Sequence, residues 1–216
     1  MQLNFDSPLD NKELFKLLYN AQTEIDIEQI LLKHKDSFKR ENWVPIGGND
    51  SNYGIIENQQ SNPIAALVEK VTNSIDAILT KKCLEAGIKP ESDEAPKSMD
   101  AAVKKFFPDY KQWDLTTFRR KQAEDIQVIA DGPPRDTAVI IYDNGEGQHP
   151  QDFDNTFLSL VRGNKNKIMF VQGKYNMGGS GSIVFCGKKG YQLIGFKKFD
   201  GSGQFGFTLL YRAHRP

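Results

Sequence analysis

Glu69-Lys70-Val71-Thr72-Asn73-Ser74-Ile75-Asp76-Ala77 is the stretch on which the reading of this chain turns. Read as a helix, Glu69, Asn73 and Asp76 are spaced by four and three, so a carboxylate, an amide and a second carboxylate project from neighbouring turns of one stripe. Val68, Val71, Ile75, Ile78 and Leu79 fall mostly on the other side, which is expected to hold the helix against a sheet while the stripe faces a cleft. An amphipathic helix whose acids only meet water would look the same, so the helix alone leaves both readings open.

Working outward, Asn62-Pro63 supplies a capping side chain and a proline suited to the first helical position, and the helix is expected to run to about Gly87. Before it, Trp43 to Asn52 is dense in turn residues and reads as a loop. Residues 1–42 carry a helical period in Leu14, Leu17 and Leu18, then Ile27, Ile30, Leu31 and Leu32, giving one or two leading helices. After it, residues 88–125 turn polar, with Pro90, Pro96 and Pro108 and scattered aromatics, and read as an insertion with some helix. The expected organisation is a leading segment, 1–61, packed on a core at 62–216 that carries this insertion.

A second motif lies about seventy residues on. Ile126 to Ala130 and Thr137 to Tyr142 are β-rich runs around a turn, and the second strand ends in Asp143-Asn144-Gly145-Glu146-Gly147. Glycines there let the backbone turn sharply and approach a flat ligand, and Asp143 can accept a hydrogen bond from an exocyclic amine. Asp-Asn-Gly is equally a common turn. A helix is expected around Asp152 to Val161. Gly173-Lys174-Tyr175-Asn176-Met177-Gly178-Gly179-Ser180-Gly181-Ser182 then offers a run of backbone N–H groups before an expected helix start at Ser182, suited to phosphate oxygens, or else a surface loop. Strands at Tyr191 to Phe199 and Gln204 to Tyr211 follow.

Two decoys drop out. Gly201-Ser202-Gly203-Gln204-Phe205-Gly206 fits GxGxxG but leads into a strand, so it lacks the helix start that binds a pyrophosphate. A Walker A sequence does not occur. Lys plus Arg equals Asp plus Glu at 28 each, so no global field draws the chain to nucleic acid or anionic lipid. No stretch approaches the roughly 18 apolar residues of a membrane span, and no leader pattern opens the chain, so a cytoplasmic protein is expected. Cys83 and Cys186 lack CxxC spacing, and His34, His149 and His214 stand apart, which argues against a disulfide framework or a zinc site.

The order Glu69…Asn73…Asp76, then Asp143-x-Gly145-x-Gly147, then Gly173 to Gly181, resembles the Bergerat-fold ATPases, also called GHKL ATPases. These include the gyrase B subunit, the large ATP-driven heat-shock chaperone, histidine kinases and MutL. The resemblance spans about Asn62 to Tyr211. It implies an α/β fold, a two-layer α+β sandwich with helices on one face of a mixed, mostly antiparallel sheet.

It also implies roles. Glu69 would be the general base, Asn73 would coordinate Mg2+ through its amide oxygen, and Asp76 would support the adenine-side pocket. Asp143 would hold the adenine amine, with Gly145 and Gly147 shaping the pocket beneath the base. Lys174, Tyr175, Asn176, Met177, Gly178, Gly179, Ser180, Gly181 and Ser182 would wrap the phosphates of ATP, under a lid at 163–172. Lys165, Lys167 and Lys174 are candidate phosphate partners, with a solvated lysine as the plain alternative.

Asn73-Ser74-Ile75-Asp76-Ala77 is similar to the hydrolase branch rather than to the kinases, leaving a histidine kinase as the lesser reading. In gyrase-like members a later strand adds a Thr beside the adenine-holding Asp and a following domain adds a lysine to the terminal phosphate. The chain is expected to stop before both, as the N-terminal part of a longer protein, with Thr208 a doubtful substitute. Expected partners are ATP, a second copy in an ATP-dependent homodimer, and downstream domains or a protein partner. A nucleotide-gated module without turnover, and an interaction protein with an empty pocket, remain as alternatives.

Overall fold

Asn62 caps the longest helix of the computed structural model: its side chain accepts the N–H of Ala65 at 2.9 Å, Pro63 occupies the first turn, and the helix, α4, runs Pro63–Glu85. The structure describes residues 10–49, 52–58, 62–114, 116, 119–159, 165–173 and 181–212. Ahead of α4 lie α1 (Asn11–Tyr19), α2 (Glu24–Lys33) and the short α3 (Tyr53–Glu57). The start of α2 is fixed by a capping box, Thr23 accepting from the Asp26 N–H while Asp26 accepts from the Thr23 N–H.

After α4 come α5 (Met99–Phe106) and α6 (Arg119–Asp125), then the strands β1 (Ile126–Asp131), β2 (Ala138–Asp143), β3 (Gln192–Phe196) and β4 (Gly206–Leu210). β1 pairs antiparallel with β2, Ile126 opposite Asp143, and β3 with β4, Gln192 opposite Leu210. The fold is thus mixed helix and sheet. The strands form two separate two-stranded sheets among the described residues, where one larger sheet is expected from the sequence. What joins the hairpins is a turn rather than a ladder: the Phe199 N–H donates to the Glu146 carbonyl at 3.1 Å.

Burial differs between the hairpins. β4 is covered on both faces, because Leu209 joins Leu14, Leu18 and Ile27 of α1 and α2, while Leu210 joins Ile56 and Ile183 on the other side. In β1 and β2, Val128, Ile129, Val139 and Tyr142 stay exposed. A third core gathers Leu79 and Cys83 of α4, Ala102 of α5, and Ile168, Phe170 and Val171. Phe106 and Phe107 pack against it, so this part of the insertion covers the C-terminal half of α4, while its last helix, α6, lies beside β1 and β2.

Three expectations fail locally. Leu17 and Leu32 are exposed, so the leading helices bury a narrower stripe than their leucines suggest. Where a helix is expected from Asp152 to Val161, the described residues form a 3-10 helix, Pro150–Asn155, which ends at Thr156 as its backbone leaves the helical region, and residues 160 and 161 lie outside the described residues. The helix expected at Ser182 is likewise a four-residue 3-10 turn, Ser182–Phe185. Cys83 and Cys186 are both free thiols, and no helix of the described residues is long and apolar enough to cross a membrane.

Candidate functional site

The site is built on two opposite sides of α4. On one side lies the turn that follows β2: the Ser74 hydroxyl donates to Asp143 Oδ2 at 2.9 Å and the Gly145 N–H donates to Oδ1 at 3.0 Å. The Glu146 N–H donates to the Ala77 carbonyl at 3.1 Å, and the Lys81 ammonium donates to the Asn144 carbonyl and amide oxygens at 3.0 and 2.8 Å. Residues 74, 77 and 81 are one face at helical spacing, so this face carries the hairpin. Gly145 is required there, since a Cβ would lie 2.7 Å from Asp143 Oδ1 and against the Ala77 backbone. Gly147, at φ 60, sits against the Lys197 carbonyl.

On the second side Asp76, with no exposed surface, accepts the Gln172 N–H at 3.1 and 3.0 Å on its two oxygens and the Gly173 N–H at 2.8 Å. The expected stripe therefore exists but submerges along its length: Glu69 and Asn73 are half-buried and Asp76 is sealed. Further along that same side, three and seven residues on from Asp76, Leu79 and Cys83 meet the shared core.

The apolar face expected to hold the helix is partly inverted. Val68 and Ile75 are exposed, at 58% and 36%, while Ser74, Asp76 and Thr80 are buried, because the neighbours of α4 arrive on its polar sides. The Thr80 hydroxyl is satisfied by the Asp76 carbonyl at 2.8 Å.

Electrostatics separate the groups. Burial raises the Asp143 carboxyl above its usual range, opposed by the bonds from Ser74 and Gly145 and by the Lys165 charge. Glu146 is raised by burial too, with Lys165 and Lys198 opposing. Lys165, expected on phosphate, thus exerts its field on the carboxylates of the β2 turn. Burial also raises Glu69, against the pull of Lys70. Lys70 itself is lowered to about 8 by burial, opposed by Cys186 and Glu69.

Asp76 is expected in the adenine-side pocket, yet its acceptor positions are taken by residues 172 and 173, at the entrance of the glycine-rich segment. Gly181 and Ser182 lead the 3-10 turn, while Lys174, Tyr175, Asn176, Met177, Gly178, Gly179 and Ser180 lie outside the described residues. Thr208 pairs with Ile194 within β3 and β4, and the hydroxyl that Asp143 receives is that of Ser74. Ser74 was not singled out as a site residue from the sequence. Its signal was its place beside Asn73, about 100° around the helix from the stripe.

Among the described residues no group of three His, Cys, Asp or Glu side chains could hold a metal ion. The Asn73 amide oxygen is a hard donor of the kind magnesium takes when phosphates and water complete its shell. No family model, curated protein or solved structure matches this chain.

Proposed function

We propose that the α4 site binds ATP with Mg2+ and hydrolyses it, as a Bergerat-type domain. The observation that carries the reading is the convergence on one helix of two sequence-distant glycine motifs: Ser74 holds Asp143, and Asp76 holds Gln172 and Gly173. An amphipathic helix with solvated acids would have neither contact.

Asp143, oriented by two donors, would accept the adenine amine. Asn73 would contribute an amide oxygen to Mg2+, which neutralises phosphate charge when bound. Glu69 would take a proton from water as its oxygen attacks the terminal phosphorus, and the bond to the bridging oxygen breaks to release ADP. A carboxylate raised by burial is a better base at neutral pH than an ordinary one. Positioning and electrostatics supply most of the acceleration in such a reaction. Closure over ATP would promote pairing with a second copy and transmit the cycle to a downstream domain or partner.

Calorimetric titration of the chain with MgATP tests the reading, with saturable heat expected and no heat overturning it. Glu69→Ala is expected to keep binding and lose turnover. Turnover persisting at the wild-type rate would remove Glu69 from the role of base.

A further inference from the structure

Two consecutive residues of the α4 stripe meet the same dipeptide, Asp76 by hydrogen bonds and Asn73 by close approach. Asp76 takes the N–H groups of Gln172 and Gly173 at 2.8 to 3.1 Å, with its carboxylate wholly buried. One turn earlier, Asn73 Oδ1 stands where residue 173 has no side chain: a Cβ there would lie 2.5 Å from that oxygen and 3.4 Å from Asp76 Oδ2. Burying a carboxylate is costly unless donors surround it, and backbone N–H groups supply them here whatever the side chain at position 172.

We propose that Asp76 is a positioning residue which latches the entrance of the glycine-rich segment to α4 and, through Gly173, sets where the Asn73 amide oxygen stands. It acts on the metal and phosphate side of the site rather than beneath the base. This rests on the nucleotide reading above. Because Gly173 is held by its own N–H and carries nothing beyond Cα, the segment approaches until the Asn73 oxygen fills the space of the missing Cβ. Loosening the latch or adding a methyl group moves that oxygen. Neither change touches Asp143, which is held from the opposite side of α4 by Ser74 and Gly145.

The test compares the ATP dissociation constant in Mg2+ with that in EDTA, for the whole chain and for Asp76→Asn, Gly173→Ala and Asp143→Asn. Amide exchange at Gln172 and Gly173 is measured alongside. Asp76→Asn sets an NH2 against N–H donors, so exchange at the two amides is expected to quicken and the Mg2+ advantage to shrink by about tenfold, the usual scale for a residue that orients a metal ligand.

Gly173→Ala is expected to shrink the same ratio. Asp143→Asn is expected to weaken binding equally in both conditions and leave the ratio intact. A purely structural role for Asp76 would raise both dissociation constants together, and that result, or unchanged exchange in Asp76→Asn, overturns the proposal. If Asp76→Asn fails to fold, Gly173→Ala decides alone, since an unchanged ratio there overturns the link to Asn73. Wild-type protein that binds no ATP removes the nucleotide reading and the metal-side role together, while exchange in Asp76→Asn still reports the latch.

Discussion

The α1 and α2 pair buries only apolar side chains, whereas α4 buries polar ones beside its apolar Ile78, Leu79 and Cys83. In the pair the covered positions are Leu14, Leu18 and Ile27, and they meet Leu209 across an apolar contact. In α4 the sealed positions include Ser74, Asp76 and Thr80, while Val68 and Ile75 face solvent. Apolar burial stabilises without asking for direction, whereas each buried polar group demands a partner at hydrogen-bond distance. The pair is therefore a packing element. α4 is also a fixture, because its buried Ser74 and Asp76 each hold a distant segment of chain, while Thr80 is satisfied within the helix.

The contrast can be broken at either helix. Leu18→Ala should cost about 2–5 kcal/mol in denaturant unfolding and leave ATP affinity unchanged where the protein remains folded. A parallel loss of affinity would tie the leading helices to the site. Asp143→Asn should do the reverse, weakening ATP by about 10- to 100-fold, or roughly 1.5–3 kcal/mol, with little movement of the unfolding midpoint. Because burial raises Asp143, wild-type affinity should also fall on acidification at a pH above that of an ordinary carboxylate, as the acceptor gains a proton. Titrations from pH 7 downward would show it.

Lys70 sharpens the comparison, since it is a charge that α4 holds in poor solvent. Its ammonium is lowered to about 8 in the fold and stands at 10.5 when unperturbed, so between those values the unfolded chain binds the extra proton. Stability should therefore rise with pH from about 8 to 10.5, and the penalty should be present in full below that window. Lys70→Met should raise stability at pH 7 by about 1–3 kcal/mol and flatten that slope, read from unfolding curves across the window.

Smaller effects should follow at the helix starts: Asn62→Ala and Thr23→Ala should each cost about 1 kcal/mol by thermal unfolding, because each removes a capping acceptor. Val68→Thr should change stability by less than about 0.5 kcal/mol, although a helical wheel drawn from the sequence places Val68 in the core. A loss of several times that would restore the apolar face to a packing role.

Much of the frame was legible because it is local. Asn62-Pro63 marks a helix start by chemistry that acts within three residues, and the two hairpins show as β-rich runs around turns. The polar stripe was legible as a periodicity, but which side of α4 is covered depends on where residues 144–146 and 172–173 arrive, and no local pattern encodes that. Hence the sequence places Asp76 on the polar stripe, in support of the adenine-side pocket, without showing that it accepts the 172–173 backbone N–H groups. Ser74 was passed over for the same reason, since its partner lies 69 residues away. The 3-10 turn at Pro150–Asn155 is not legible either, because its end is set by the non-helical backbone of Thr156, which no sequence period marks.

The turn at residues 144–146 bears on the order in which the chain assembles. Its N–H and carbonyl groups reach Asp125, Ala77 and Phe199, so three stretches of chain must already be near their final places before it can close. Contacts between residues far apart in sequence incur loop-closure entropy before they repay it, and they form late on the folding path. The helices and each hairpin can arise from neighbours alone. The turn cannot, so its closure, and with it the proposed nucleotide binding, is expected to be the last property gained during refolding and the first surrendered in mild denaturant, ahead of any loss of helical signal.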